Sequence, residues 1–333
     1  MNLHLGNLNL PGTPTWVLSV DGMAPEGPNL SHWPGNRTPA DFKADLSTGI
    51  CLGFARAPLD QRLQFLDGAT VVVNDHYDTD GFLSLLAVLH PEIALEREEL
   101  LLEAAATGDY QSFHGQRGFA IDRIVLNLAG ERSPIRGEFE GLSGSDKDHA
   151  RYRWLLDHAV EILDHPEQFA ALYQDELDLV EQQLQDSTIA CRNLGHCGLA
   201  RVTSPGPVHR VVLNTLAGSC YRVLHTQSKP GATRYRYHDR TESWFEVQSF
   251  SPPPRLDLSI LADELAAMEE LTRADTGTGG QWCLDPPDEP VPELYHGIPS
   301  QQAYGQISRA LTPSGLTPDS VETLFTRFFS ESS

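Results

Sequence analysis

The run Val71-Val72-Val73-Asn74-Asp75-His76-Tyr77-Asp78-Thr79-Asp80-Gly81 decides how this chain reads. Three β-branched residues in succession predict a buried strand. The strand stops in a turn that places His76, Asp78 and Asp80 at alternate positions, and Gly81 frees the backbone at its exit. The apolar stretch Phe82-Leu83-Ser84-Leu85-Leu86-Ala87-Val88-Leu89 then predicts the start of a helix. An imidazole and carboxylates at the carboxyl end of a buried strand are the donors that a hard divalent cation needs. The plainer alternative is an Asp-rich turn that caps the next helix, since Asp and Thr both suit an N-cap. One cap needs one Asp, which leaves the alternating histidine and second aspartate unaccounted for.

Strand-like and helix-like segments alternate around this run. Residues 16–22 predict a short strand ending in Asp21-Gly22, followed by a Pro/Gly-rich loop through Pro39. Residues 48–56 read as a helix, and so do residues 92–107, a helix that Gly108 is expected to end so as to present Asp109. Residues 122–128 fit a strand or a helical turn equally. The alternation predicts an α/β fold, a mainly parallel sheet flanked by helices, with a smaller C-terminal α/β or α+β domain. The expected domains are 1–140, a metal-binding α/β domain; 141–190, a helical linker region; and 191–333, a smaller substrate-binding-type domain. A Gly/Ser-rich stretch at 137–146 and a long amphipathic pattern at 148–185 make up the middle region. In the last region, 201–202, 208–216, 221–225, 233–237 and 244–250 are strand candidates. Pro252-Pro253-Pro254 interrupts them, and helices are expected at 258–271 and 319–329.

With 333 residues and 40% hydrophobic content the chain is long enough for two cored domains. No run of 18 apolar residues exists, and the N-terminus lacks a basic region followed by an apolar core, so neither a membrane span nor a signal peptide is expected. The five cysteines are scattered and odd in number, which predicts reduced thiols in a cytoplasmic protein. Cys191 and Cys197 flank His196 without a second pair, too few ligands for a structural zinc site. A net charge of −22 disfavours a long nucleic-acid partner, which a broadly basic face would hold. A small phosphorylated substrate remains compatible, because metal ions supply positive charge locally.

Further candidates sit at predicted element ends: Asp21, His32 in the loop Ser31-His32-Trp33-Pro34-Gly35-Asn36, Asp109, and His114 shortly after it. On these residues the chain resembles the DHH phosphoesterase superfamily, in diverged and circularly permuted form. His76-Tyr77-Asp78-Thr79-Asp80-Gly81 is similar to the strand-end Asp-rich first motif of its RecJ-type nucleases. Asp21-Gly22 resembles the strand-terminal aspartate that bridges two metals, and Thr107-Gly108-Asp109 resembles the later metal-binding aspartate motif. Residues 31–36 resemble the Asp-His-His signature with its Pro-Gly turn, although Ser31 and Trp33 replace two of its three residues.

The resemblance implies a metal-dependent phosphoester or phosphoanhydride hydrolase. Asp78, Asp80, Asp109, Asp21 and His76 would hold Mn2+ or Mg2+, and His32 and His76 would serve catalysis. Two ions roughly 3.5–4 Å apart would activate water and stabilise charge on phosphorus, and the histidines tilt the preference toward manganese. Asp78 and Asp80 are expected in an open cleft, each replaceable without loss of fold. For substrate, the resemblance points to a cationic strand and a Gly-rich loop in the C-terminal region: Arg234, Arg236, Arg240, Gly279 and Gly280. A degenerate relative that binds a nucleotide or phosphate ligand without hydrolysis is the alternative.

Overall fold

The computed structural model describes residues 2–9, 12–272, 280–286, 289–299 and 309–331. The chain forms two compact units: Met1–Asp178 with Phe245–Ser251, and Leu179–Trp244 with Pro252–Ser333. The 141–190 region is therefore divided between them at Asp178.

The first unit is built on four short strands, β1 (His4–Leu5), β2 (Leu18–Val20), β3 (Asn29–Leu30) and β4 (Val71–Val73). They pair in the order β1-β4-β2-β3, every pairing parallel. Parallel strands demand crossover connections and usually helices on both faces, so β2 and β4 are buried along their whole length. The helices are α1 (Ser47–Arg56), α2 (Leu59–Leu66), α3 (Thr79–Leu89), α4 (Pro91–Leu95), α5 (Glu98–Tyr110), α6 (Gln116–Asn127), α7 (Gly144–Asp157), α8 (Ala159–Asp164) and α9 (Gln174–Gln185), along which the chain leaves the unit. From Thr79 to Val88, α3 is buried on every side, packed between α1 and α5. That explains why its sequence is apolar all round rather than striped.

Several expected elements take a different form here. Residues 122–128 belong mostly to α6. The helix expected over 92–107 breaks at Glu96 and Arg97 into α4 and α5. Gly108 does not end it: α5 runs on to Tyr110 and stops where Gln111 turns left-handed at φ 47°. Gly108 instead lets α5 approach α3 and α6, since a Cβ there would lie 2.9 Å from Asp122 Oδ1 and 3.1 Å from Thr79 Cβ. The 148–185 pattern is interrupted at His158 and at Pro166, whose ring cannot continue a helix interior.

The second unit is a six-stranded mixed sheet, β5 (Ala190–Leu194), β6 (Leu199–Ser204), β7 (Arg222–Lys229), β8 (Ala232–Asp239), β9 (Gln281–Leu284) and β10 (Glu293–Gly297), in the order β5-β6-β7-β8-β10-β9. On one side α10 (Arg210–Ala217) packs Leu213 and Ala217 with Ala200, Val202 and Val223. On the other, α11 (Ser259–Thr272) and α12 (Pro318–Glu331) bury Leu261, Leu265, Phe325 and Phe329 with Leu224, Tyr235 and Tyr237. The strand expected at 208–216 is mostly α10. Val211 and Val212 favour a strand locally, but packing of α10 against β6 and β7, with residues 210–214 all buried, overrides that weak preference. The strand expected at 244–250 is irregular chain and belongs to the first unit. The chain as a whole is α/β.

Candidate metal centre

Strands β2, β3 and β4 end at one edge of the parallel sheet, and the residues that follow them converge there. Asp21 follows β2 with φ 53°, a left-handed conformation that few residues other than glycine adopt and that Asp tolerates comparatively well. Gly22 next to it leaves room for the Asp75 carboxylate, since a Cβ there would lie 2.0 Å from Asp75 Oδ1. His32 follows β3. After β4 the chain turns through Asn74, whose Oδ1 accepts the His76 N–H at 2.9 Å, a local Asx turn. Tyr152 on α7 clamps this turn, donating its hydroxyl to His76 O at 2.8 Å and accepting Asp78 N–H at 3.2 Å. The last turn of α5 adds Asp109.

The side chains form two groups of metal-donor atoms, Asp21, His32, Asp80 and Asp109 in one and Asp21, His76 and Asp78 in the other, each spanning no more than 4.8 Å. Asp21 belongs to both and divides its oxygens between them. Its Oδ1 lies 3.7 Å from His32 Nε2, and its Oδ2 lies 3.2 Å from His76 Nε2. His32 Nε2 is also 3.2 Å from Asp109 Oδ2 and 3.7 Å from Asp80 Oδ2, while His76 Nε2 is 2.9 Å from Asp78 Oδ2. Donors that share an ion at about 2.1 Å lie about 3.0 Å apart in octahedral and about 3.4 Å apart in tetrahedral arrangement. The observed separations bracket those values, so the residues fit a pair of cations.

Hydrogen bonding orients both imidazoles toward that role. His32 Nδ1 meets Asp45 O at 2.7 Å, so Nδ1 is the donor there and Nε2 is the nitrogen turned to the carboxylates. His76 Nδ1 meets Asp75 Oδ1 at 2.9 Å, which likewise assigns Nε2 to the centre. Asp21 Oδ1 and His32 Nε2 are buried without a hydrogen-bond partner, and Asp21 Oδ2 meets only the His76 imidazole. Such groups are costly unless something not made of protein satisfies them. Asp80 also serves the fold: its oxygens accept Ser47 N–H at 2.8 Å and Thr48 N–H at 2.7 Å, capping α1, which has no side-chain cap of its own. Asp78 is the N-cap of α3, its Oδ1 accepting Gly81 N–H at 2.8 Å while Oδ2 faces His76. Cap and ligand are thus two uses of one carboxylate.

The electrostatics report the same crowding. Burial, then Asp78 and Asp80, push Asp21 well above the ordinary carboxylate range. Burial, then Asp80 and Asp78, do the same to Asp109. Burial would lower His76, but Asp78 and the contacts with Asp21 and Asp75 outweigh it and raise the imidazole well above its usual value. Burial works upward on Asp78 as well, yet His76 and the Gly81 amide hold it below that range. The crowding of carboxylates thus accounts for part of the upward push on Asp21 and Asp109, beside burial.

The structure therefore brings Asp21, His32, His76, Asp78, Asp80 and Asp109 together, in one unit. One expectation needs correction: Asp80 is fully buried and bonded to backbone rather than lying in an open cleft, because capping α1 requires it inside. His114 is exposed and outside both groups. Trp33 packs on His76 with ring centroids 4.7 Å apart, and Ser31 Oγ accepts the Trp33 N–H, so neither residue adds a ligand to these groups. Nothing along the chain points to Asp45 and Phe245 as supports of His32, whereas Asp75 had one signal, its place beside His76. A polar cavity of about 230 Å³, lined among others by Gly6, Asn7, Asn74, His149 and Tyr152, borders Asp75 and His76.

In the second unit Arg236 pairs with Glu293 at 2.6 Å, alongside Arg210 and Arg309. Arg240 is buried against Glu242 and donates to Gly218 O at 2.7 Å, and Arg234 donates to Leu311 O at 3.3 Å. Gly280 is buried before β9, where a Cβ would lie 1.8 Å from Thr312 Oγ1, and Gly279 lies outside the described residues.

The cysteines among these residues are all free, and no described helix is long and apolar enough to cross a membrane. Comparison with curated proteins and with solved structures found no match. One family model matches residues 12–333, nearly the whole chain, and by that match the chain belongs to a family of unknown function, DUF6687.

Proposed function

We propose that this protein is a divalent-metal-dependent hydrolase of phosphoesters or phosphoanhydrides in small substrates, working with two ions and distantly akin to the DHH phosphoesterases. The observation that carries the reading is Asp21, a buried carboxylate with one oxygen turned to each of two donor groups, its Oδ1 without a hydrogen bond and its Oδ2 against the His76 imidazole. Asp21, His32, Asp80 and Asp109 would hold one ion, and Asp21, His76 and Asp78 the other. Their four carboxylates are balanced in formal charge by two divalent cations. Oxygen donors with one imidazole per group suit manganese, with magnesium second. Bound ions would supply an activated water and charge stabilisation at phosphorus.

The chain's own residues do the positioning. Asp45 O and Asp75 fix which nitrogen of each imidazole is basic. Asp78, anchored as a helix cap, and Asp80, anchored on the start of α1, present carboxylates that do not have to reorganise. The cavity beside His76 has the size for a sugar- or nucleoside-like portion of a substrate, and the net charge disfavours long nucleic acid as that substrate. The reduced cysteines fit a cytoplasmic setting.

Trp33, which covers His76 where the DHH signature has its second histidine, favours one further reading, a relative that binds a phosphorylated ligand without turnover. Screening pyrophosphate, short phosphodiesters and phosphomonoesters with manganese separates the two. Hydrolysis that disappears in Asp78→Asn supports the enzyme. Ligand binding without hydrolysis supports the binding protein, and neither activity with any metal removes the proposal.

A further inference from the structure

We infer that residues 245–249 are a strap that sets the affinity of the His32 ion group, with Phe245 and Asp45 as positioning residues; the inference rests on the metal-centre reading above. In sequence the strap lies some 200 residues beyond His32 and is flanked on both sides by residues of the second unit, yet it packs as part of the first. Its hydrogen bonds converge on the loop that presents His32 and on Asp45, which bonds that histidine, with one further ion pair to Lys43.

Phe245 stacks on the His32 imidazole with centroids 3.9 Å apart and planes 17° from parallel. Glu246 N–H donates to His32 O at 2.8 Å. The Glu246 carboxylate accepts Gly35 N–H at 3.1 Å and Asn36 Nδ2 at 2.8 Å, and pairs with Lys43 at 2.9 Å. Farther along, Gln248 N–H at 2.5 Å, Ser249 N–H at 2.8 Å and the Ser249 hydroxyl all converge on the Asp45 carboxylate. Asp45 O is the acceptor that assigns the His32 tautomer, and it also takes the Tyr110 hydroxyl at 2.7 Å.

A flat ring against the imidazole face and an acceptor at Nδ1 leave His32 one orientation, with Nε2 toward Asp21, Asp80 and Asp109. His76 is held at Nδ1 by Asp75, outside the strap, while Trp33 against its ring belongs to the loop that Glu246 holds. Removing the Phe245 ring, which stacks on His32, therefore weakens one ion and spares the other. Outer contacts of this kind typically change metal affinity by about 10–100-fold.

The test is calorimetric titration of the full-length metal-free chain with manganese, for wild type, Phe245→Ala, Phe245→Leu and Phe245→Tyr. It is paired with nitrogen-15 spectra that read the His32 tautomer in the metal-free protein. Phe245→Leu keeps apolar bulk without the flat ring and carries the test where the alanine variant folds poorly. The expected result is two classes of site in wild type and in Phe245→Tyr. In Phe245→Ala and Phe245→Leu one class weakens by about 10–100-fold, the other is unchanged, and the His32 tautomers mix. Unchanged affinities, or equal weakening of both classes, overturn the strap while leaving the metal centre standing. A wild type that binds no ion overturns the metal centre and the strap with it.

Discussion

Replacing Asp21 by Asn should reverse the order of stability between metal-free and metal-loaded protein. The substitution keeps shape and removes one negative charge from a buried set of four carboxylates. Across the 4.8 Å that bounds each donor group, one like-charge pair costs about 3–4 kcal/mol at an effective dielectric constant of about 20. Protonation limits what the folded protein bears, as the raised Asp21 and Asp109 indicate. Relief of about 1–3 kcal/mol in the metal-free state is therefore expected. An amide oxygen can still accept from His76 Nε2, but the ion pair of Asp21 Oδ2 with that imidazole is lost, which gives back part of the relief. Manganese at 1,000 times its dissociation constant adds about 4 kcal/mol per ion to wild type, and less to a variant that has lost a ligand of both groups. Calorimetric melting with chelator and with manganese at neutral pH reads both orders. The variant should melt higher without metal, by about 2–4 °C per kcal/mol for a unit of this size, and lower with it. A variant less stable than wild type in chelator, with manganese shifting neither protein, would refute the reasoning and make Asp21 an ordinary structural carboxylate.

Other outcomes follow from the same geometry. Asp21, Asp109 and His76 all bind protons more strongly folded than unfolded. The metal-free protein should therefore lose stability as pH rises from the ordinary carboxylate value through their raised folded values; Asp78, which is lowered, acts in the opposite sense at the acid end. Melts across pH 4.5–8 with chelator check the slope, and manganese should flatten it. Metal binding should release protons, seen as a dependence of the calorimetric heat on the buffer's ionisation enthalpy; no dependence would mean the ligands are already ionised. Asp78→Ala should cost about 0.5–2 kcal/mol for the lost cap of α3 in addition to one ion, whereas Asp78→Asn should lose the ion and keep most of the cap, distinguishable by melting in chelator. Gly22→Ala should displace the Asp75 carboxylate, which a Cβ would meet at 2.0 Å. The expected effect is little change in melting and about 10–100-fold weaker manganese binding through His76.

What could be read from the sequence was what neighbours along the chain decide. Val71–Val73 announced a buried strand, and the His/Asp alternation after it announced a donor set. Residues 16–22 likewise gave β2 with Asp21 at its end. Asp109 was found for a reason the structure revises, since it sits inside the last turn of α5 rather than beyond a helix stop. What stayed hidden depends on distant contacts. Packing of α10 against β6 and β7 makes Val211–Val212 helical. The double use of Asp80 needs α1 beside it, and Phe245 meets His32 only after the chain has built a second unit and returned. Asp75 lay within the quoted motif, but its role needed the ring geometry of His76.

The most direct test of a shared-aspartate pair of ions is electron paramagnetic resonance of the manganese-loaded protein, with the metal counted per chain. The account predicts two ions per wild-type chain whose spectrum shows them spin-coupled through a common ligand, and loss of that coupling in Asp21→Asn. A wild type with no bound manganese, or with two uncoupled ions that Asp21→Asn leaves untouched, would contradict it.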